Sequence, residues 1–251
     1  MDPYHQNYRV VLVLLLAAVA GCGGNESPDI SAPATTWDDL VDYSTQDEQA
    51  KTEYKKGRDF DRKHGDMDTA IACYTEAIRL DPDYMGAYIS RGNAYQDKGE
   101  YDKAIEDYSQ IIRLDPNNAV AYISRGYAYS KKDEYDKTIE DYTEVIRLDP
   151  NCARAYISRG YAYSNKGEYD KAIKDCTEAI RLDSNYAGAY INRGNAYNKK
   201  GEYDKAIKDC TEAIRLDPNY AWAYISRGNA YRKKGDLQKS KADYDKVTSL
   251  R

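Results

Sequence analysis

The chain has 251 residues, 31% of them charged, and a formal net charge of −5. This mild acidity, with Lys and Glu mixed along the sequence, argues against a nucleic-acid-binding protein, which would concentrate Lys and Arg on one surface. The sequence holds only two His and contains neither a glycine-rich phosphate loop nor a Cys/His metal-ligand cluster. We therefore expect no enzymatic activity, no cofactor, no metal site and no catalytic residue.

An unbroken apolar run, Val10 to Ala20, follows Arg9 near the start of the chain. It is shorter than the about 20 residues needed to span a bilayer and has the length of a signal-peptide core. The sequence Val19-Ala20-Gly21-Cys22 resembles the lipobox of bacterial lipoproteins. The resemblance implies that residues 1–21 are a signal peptide and that Cys22 is acylated. The alternative is an ordinary secretory signal with an incidental Cys.

The residues after Cys22 predict which membrane holds the protein and how the anchor is connected to the rest of the chain. Gly23 stands where many lipoproteins retained in the inner membrane have Asp, so the resemblance favours an outer membrane anchor facing the periplasm. A Gram-positive cell surface is the alternative. Residues 22–49 are rich in Gly, Ser, Pro and Thr and predict a lipidated Cys followed by a flexible linker. Within it, Trp37 to Val41 either forms a short turn on the next segment or has no fixed structure.

From residue 50 onward, the sequence repeats with a period of 34 residues. In the repeat that begins at residue 85, Tyr88, Gly92 and Tyr95 share one helical face, and Ile105, Tyr108 and Ile112 share another. The first helix is predicted to end at a residue in the left-handed conformation, which lies in the turn before the second helix. This residue is Gly99 here and Asp133 in the next repeat. The period is exemplified by Tyr88, Tyr122, Tyr156, Tyr190 and Tyr224, and by Gly92, Gly126, Gly160, Gly194 and Gly228. Each repeat is therefore predicted to be a helix-turn-helix unit.

The recurring set resembles the signature of the tetratricopeptide repeat (TPR) family. In one repeat the matching residues are Tyr88, Gly92, Tyr95, Tyr101, Ala104, Tyr108 and Pro116. The resemblance implies an all-α fold, a right-handed α-solenoid of six helix-turn-helix units over residues 50–251. We place the units at 50–84, 85–118, 119–152, 153–186, 187–220 and 221–251. The first is degenerate, with one extra residue between Gly57 and Gly65, and in the last, Lys241 and Thr248 replace Ile, which predicts a polar cap.

Two further patterns predict packing inside the units. In each repeat after the first, an Arg stands directly before the repeat Gly, and an Asp lies 16 residues after that Arg. We interpret the Arg and the Asp as a structural ion pair that joins the two helices of the repeat. The pairs are Arg91–Asp107, Arg125–Asp141, Arg159–Asp175, Arg193–Asp209 and Arg227–Asp243. Cys176 and Cys210 occupy the position of Tyr108 and are predicted to be packing residues rather than a disulfide, because stacked helices lie too far apart.

The TPR resemblance also implies where a partner binds, in a concave groove lined by the first helices. The candidate residues recur at three repeat positions: Ile89, Ile123, Ile157, Ile191 and Ile225; Asn93, Tyr127, Tyr161, Asn195 and Asn229; and Val120 and Trp222. The Ile residues are explained equally by binding and by packing between first helices, whereas Tyr127, Tyr161 and Trp222 favour binding. Ile stands where chaperone-binding TPR proteins carry the Lys that grips a carboxylate, so that activity is not implied.

Basic clusters at Lys131-Lys132, Lys199-Lys200 and Arg232-Lys233-Lys234 either steer an acidic partner or form solvated turns. Taken together, the sequence favours a lipid-anchored protein-protein interaction scaffold of the bacterial envelope that binds a protein or peptide segment in its groove. By fold-level analogy it would assist assembly of an envelope complex, as pilotin-like lipoproteins do. The alternative is a structural or self-associating repeat protein without a dedicated peptide ligand.

Overall fold

A computed structural model describes residues 45–250, without the side chains of residues 63 and 64, and the structural statements below concern that part of the chain. The predicted signal peptide, Cys22 and nearly all of the predicted linker lie outside it.

Twelve α-helices and one short π-helical turn make up the described residues, which contain no strand. We number the helices in chain order, so that odd numbers are the first helices of the repeats and even numbers the second. They are α1 (Glu48–Asp59), α2 (Met67–Leu80), α3 (Met85–Asp97), α4 (Tyr101–Leu114), α5 (Ala119–Lys131), α6 (Tyr135–Leu148), α7 (Ala153–Asn165), α8 (Tyr169–Leu182), α9 (Ala187–Lys200), α10 (Tyr203–Leu216), α11 (Ala221–Lys234) and α12 (Leu237–Ser249). The starts of α3, α5, α7, α9 and α11 are 34 residues apart, as predicted.

In the second repeat, a left-handed residue and two backbone hydrogen bonds close the turn between the two helices. Gly99 has φ +76°, and the N–H groups of Gly99 and Glu100 donate to the carbonyls of Gln96 and Tyr95 at 2.9 and 2.8 Å. This pattern satisfies carbonyls at the end of α3 that have no partner within the helix. Asp133 has φ +58°, which confirms the prediction that Asp takes the place of Gly in the third repeat.

The second helices from α2 to α10 each end at an Asp that turns the chain toward the next repeat. Asp115 is extended, with φ −135° and ψ +95°, and its carboxylate accepts a hydrogen bond from the N–H of Asn117 at 3.0 Å. The same bond recurs at Asp149, Asp183 and Asp217. It survives at Asp183, although Ser184 replaces the usual Pro, so the Asp side chain is sufficient to build the turn.

The degenerate first repeat keeps its register through a local change of helix type. Helix α1 begins at Glu48, two residues before the predicted start of the array, because the Asp47 carboxylate caps it by accepting from Gln49 and Ala50 N–H at 2.8 Å each. The extra residue falls in the π-helical turn, Phe60–His64. A π turn closes over one more residue than an α turn, so α2 resumes the 34-residue register.

The chain forms two compact units that divide between Asp133 and Glu134. Unit 1 holds α1 to α5 and unit 2 holds α6 to α12. In unit 1, Ala104, Tyr108, Ile111 and Ala121 form a buried cluster. In unit 2 the corresponding cluster is Ile191, Cys210, Ala213 and Ala223. Both clusters place small Ala side chains beside larger residues, which lets the helices approach closely.

Candidate functional site

The first helices of unit 2 form one surface. Helix α7 contacts α9, and α9 contacts α11, while each of the three also packs against the second helix of its own repeat. We call the surface of α7, α9 and α11 that is not covered by second helices the first-helix face. Helices α7, α9 and α11 carry most of the predicted partner-binding residues. The others, Ile89, Asn93, Val120, Ile123 and Tyr127, lie on α3 and α5 of unit 1.

The predicted Ile residues divide into buried and half-buried positions. Ile157 packs with Ala179 and Ala189, and Ile191 packs with Cys210, Ala213 and Ala223. Their surfaces are therefore already covered by neighbouring helices, as the packing interpretation requires. Ile123 is buried as well, whereas Ile89 and Ile225 are half-buried and keep some area for a ligand. Val120 is also half-buried.

Two aromatic side chains of the first-helix face are open to solvent. Tyr161 on α7 is 48% exposed and Trp222 on α11 is 51% exposed, although such rings are usually buried in a protein of this size. Exposed apolar surface rimmed by polar residues is typical of a contact site. In unit 1, Tyr127 is half-buried, and the Lys131 ammonium lies 5.2 Å from the centre of its ring.

The predicted Asn residues already make hydrogen bonds inside the array. The amide oxygens of Asn93 and Asn229 accept from the hydroxyls of Tyr108 and Tyr244, both at 2.8 Å. Asn195 accepts from the Ser226 hydroxyl at 2.7 Å. The oxygens are thus committed to packing, and the amide nitrogens are the groups that could donate to a ligand backbone.

Three buried polar atoms on first helices have no hydrogen-bond partner within the described residues: Gln96 Oε1, Arg154 Nη1 and Asn198 Oδ1. Gln96 and Asn198 occupy the same position of their repeats. Buried polar groups are nearly always hydrogen-bonded, so unused ones are notable. Sequence reasoning missed this position, and the available signal was the recurrence of polar residues there: Gln96, Ser130, Ser164, Asn198 and Arg232.

The predicted Arg–Asp pairs form in both units. Arg91–Asp107, Arg159–Asp175, Arg193–Asp209 and Arg227–Asp243 are each joined by two hydrogen bonds of 2.7–3.0 Å. The residues of the fifth pair, Arg125 and Asp141, belong to different units. Hydrogen bonds to Asp209 raise the pKa of Arg193 despite its burial, so the charged pair is stable.

The same Arg residues also join neighbouring repeats, which the sequence analysis did not anticipate. The third guanidinium nitrogen of Arg159 donates to the hydroxyl of Thr143 on α6 at 3.1 Å. Arg91, Arg193 and Arg227 donate in the same way to Thr75, Thr177 and Thr211. Each of these Arg residues therefore holds three helices together, which supports the structural interpretation.

Lysines at the turns form a second series of contacts between neighbouring repeats. Lys200 Nζ lies 2.6 Å from Asp170 Oδ1 and 3.1 Å from Glu202 Oε1. Equivalent pairs are Lys98–Asp68, Lys132–Asp102, Lys166–Asp136 and Lys234–Asp204. Three lysines of the predicted basic clusters, Lys132, Lys200 and Lys234, are thus occupied within the array. A constant separation of 30 residues was the sequence signal for these pairs.

The four described cysteines, Cys73, Cys152, Cys176 and Cys210, are free. Cys176 and Cys210 are buried, and burial raises the pKa of each thiol to about 12. Their sulfurs face Gly160 and Gly194, which agrees with the predicted packing role. Among residues 45–250, no group of His, Cys, Asp and Glu is placed to hold a metal ion. No helix in that range combines the length and apolar character needed to cross a membrane.

Comparison with protein families gives the class of the fold. Family models described as "Tetratricopeptide repeat" match residues 119–152, 153–186, 187–220 and 210–242, and one described as "TPR repeat" matches 59–99 and 92–133. The chain belongs to the tetratricopeptide repeat family, and its fold is an all-α solenoid of helix-turn-helix units. Proteins of this kind are generally non-enzymatic scaffolds for protein-protein interaction.

Several solved structures are similar to this chain. The crystal structure of MamA is 32% identical over 63% of this chain and 93% of that chain, with a TM-score of 0.58. A tetratricopeptide repeat protein from Parabacteroides merdae is 21% identical, covers 81% of this chain and 80% of its own, and has a TM-score of 0.75. YrrB, described as a TPR protein with an unusual peptide-binding site, is 22% identical over 71% and 92%, with a TM-score of 0.56. Because their sequence identities are low, the similarities to the Parabacteroides merdae protein and to YrrB show the fold alone. No curated protein sequence matches the chain.

Proposed function

We propose that the chain is a lipid-anchored scaffold of the bacterial envelope whose first-helix face binds a segment of a partner protein. The observation that carries the binding proposal is the exposure of Tyr161 on α7 and of Trp222 on α11, the two first helices that contact α9. Aromatic rings contribute a large contact area with little loss of side-chain entropy, which is why they anchor protein interfaces. Around them, the amide nitrogens of Asn195 and Asn229 are available to hydrogen-bond the backbone of an extended segment.

The binding proposal is tested by capturing the partner with a crosslinking pull-down from the native envelope. The double variant Tyr161→Ala, Trp222→Ala should lose the captured protein, because it removes both exposed rings. Its helical circular dichroism should stay unchanged, because neither ring is part of the core. The matched control is Leu237→Ala, which removes a side chain that is 67% exposed on a second helix of the same unit. Equal capture by the double variant and the wild-type chain would refute the proposal.

The anchoring part of the proposal is supported by the sequence Val19–Cys22, which lies outside the described residues. Acylation would place several chains in the bilayer at about 0.8 kcal/mol per buried CH₂, enough for firm attachment. The residues between Cys22 and α1 would then hold the array clear of an outer membrane surface that faces the periplasm. There the scaffold would assist assembly of an envelope complex, in the manner of a pilotin.

Cys22→Ala is the direct test of the anchor. The variant should move from the membrane fraction to the soluble fraction after its signal peptide is removed, because no acyl chain remains. A processed variant that stays with the membrane would show that another feature holds the chain there. Partner capture by the soluble variant should persist, which separates the anchor from the binding face.

A further inference from the structure

The carboxylates on the helices of unit 2 all lie on second helices. Helices α7, α9 and α11 contain no Asp or Glu, whereas α8, α10 and α12 all contain them. Five of the cations on the first helices form ion pairs with those carboxylates: Arg159, Arg193, Lys200, Arg227 and Lys234. This compensation removes them from the charge available to a ligand.

Four other cations of the first helices form no ion pair with any described residue: Arg154, Lys199, Arg232 and Lys233. Arg232 donates a hydrogen bond to Asn229 at 3.3 Å, and Arg154 has a buried nitrogen without a partner. The first-helix face therefore combines uncompensated positive charge with the exposed rings of Tyr161 and Trp222. Its complement is a segment that carries several carboxylates and large apolar side chains, but no cation.

The chain itself contains such a segment directly before its described part. Residues 36–44 read Thr-Trp-Asp-Asp-Leu-Val-Asp-Tyr-Ser, with three carboxylates, two aromatic rings, and one Leu and one Val. No Lys or Arg occurs between Arg9 and Lys51. The segment thus matches the first-helix face in charge and in apolar character.

We propose that residues 36–44 of a second copy of this chain bind the first-helix face of unit 2. A second copy is the source because the segment precedes the first repeat, whereas the face belongs to the last three repeats, and each repeat of such an array contacts only its neighbours. Asp38, Asp39 and Asp42 meet the uncompensated cations, and Trp37 lies against the exposed rings. The inference rests on the proposed function for the position of the binding face. It adds that self-association competes with partner binding there.

Zero-length carbodiimide crosslinking tests this contact, because it joins a carboxylate to an amine only when the two touch. The sample is an equal mixture of ¹⁴N- and ¹⁵N-labelled full chains carrying Cys22→Ala, so that no lipid anchor drives association. Asp38, Asp39 or Asp42 should be joined to Lys199 or Lys233 of the differently labelled chain. Lys174 and Lys208 are the controls, since they are exposed on second helices, and links to them should be about tenfold rarer.

The triple variant Asp38→Asn, Asp39→Asn, Asp42→Asn separates charge recognition from non-specific association. It should lose these links and be monomeric in light scattering at concentrations where the parent chain associates. Links of equal frequency to the control lysines, links only within one label, or a monomeric parent chain would each overturn the inference. If the Tyr161 and Trp222 double variant still loses its partner in that case, the proposed function stands and only the self-association is wrong.

Discussion

Arg159→Met removes the charge from one of the Arg–Asp pairs and keeps the aliphatic stem. In the folded chain, the Arg159 side chain is 16% exposed and that of Asp175 is 7% exposed, and the two are joined at 2.8 and 3.0 Å. The substitution leaves the Asp175 carboxylate without its cation and also frees the hydroxyl of Thr143. Breaking a fully buried pair costs 3–5 kcal/mol, so for this partly buried pair we expect about 3 kcal/mol.

The assay is thermal unfolding of the full chain, followed by circular dichroism. At roughly 2–4 °C per kcal/mol for a chain of this size, the midpoint should fall by about 6–12 °C. The control is Arg181→Met in the same repeat, whose pair with Glu178 has the same chemistry but exposures of 64% and 35%. Water and salt screen that pair, so its loss should give no resolvable shift. A shift from Arg159→Met no larger than that of the control would refute the reasoning from burial.

Three further predictions follow from other contacts. Cys176 and Cys210 should resist iodoacetamide at pH 8 until the array unfolds, because burial holds the pKa of each thiol near 12. Mass spectrometry of native and unfolded protein measures the alkylation of each thiol, and rapid alkylation of the native protein would contradict the prediction. Gly92→Ala should lower the free energy of unfolding in urea by about 1–3 kcal/mol, because its new Cβ would lie 2.8 Å from the buried Tyr108 ring. Gly194→Ala should lower it less, because its Cβ would lie 3.1 Å from the Cys210 sulfur. Equal losses of stability would contradict this account of the packing. Lys200→Met should lower the unfolding midpoint slightly in low salt and not in 1 M salt, because the Asp170 partner is exposed; a salt-independent loss would show that the contact is not electrostatic.

The repeat unit could be predicted from the sequence because its determinants are local. Gly99 and Asp133 identify the left-handed turn, and both adopt it. Arg159 and Asp175 lie on facing helices at a constant separation, and they pair as expected. In each case, short-range geometry fixes the outcome, so residue type and spacing carry enough information.

The remaining features depend on contacts between repeats, which the internal pattern of one repeat does not determine. The sequence could not decide whether Ile191 lines a groove or packs between helices, because that depends on how closely α11 approaches α9. The Lys200–Asp170 pair was missed because its partners belong to successive repeats. In the degenerate repeat the extra residue was visible, but its accommodation by a π turn at residues 60–64 depends on how tightly α1 packs on α2.

Site-specific photo-crosslinking in living cells tests the central claim most directly. A photo-reactive amino acid replaces Tyr161 on the first-helix face or, as a control, Lys174 on the opposite side of the same repeat. We predict a discrete crosslinked product from position 161 and none from position 174, because the first-helix face carries the exposed rings of Tyr161 and Trp222 and its helices contain no carboxylate. Products from position 174 with none from position 161 would contradict the assignment of the binding face.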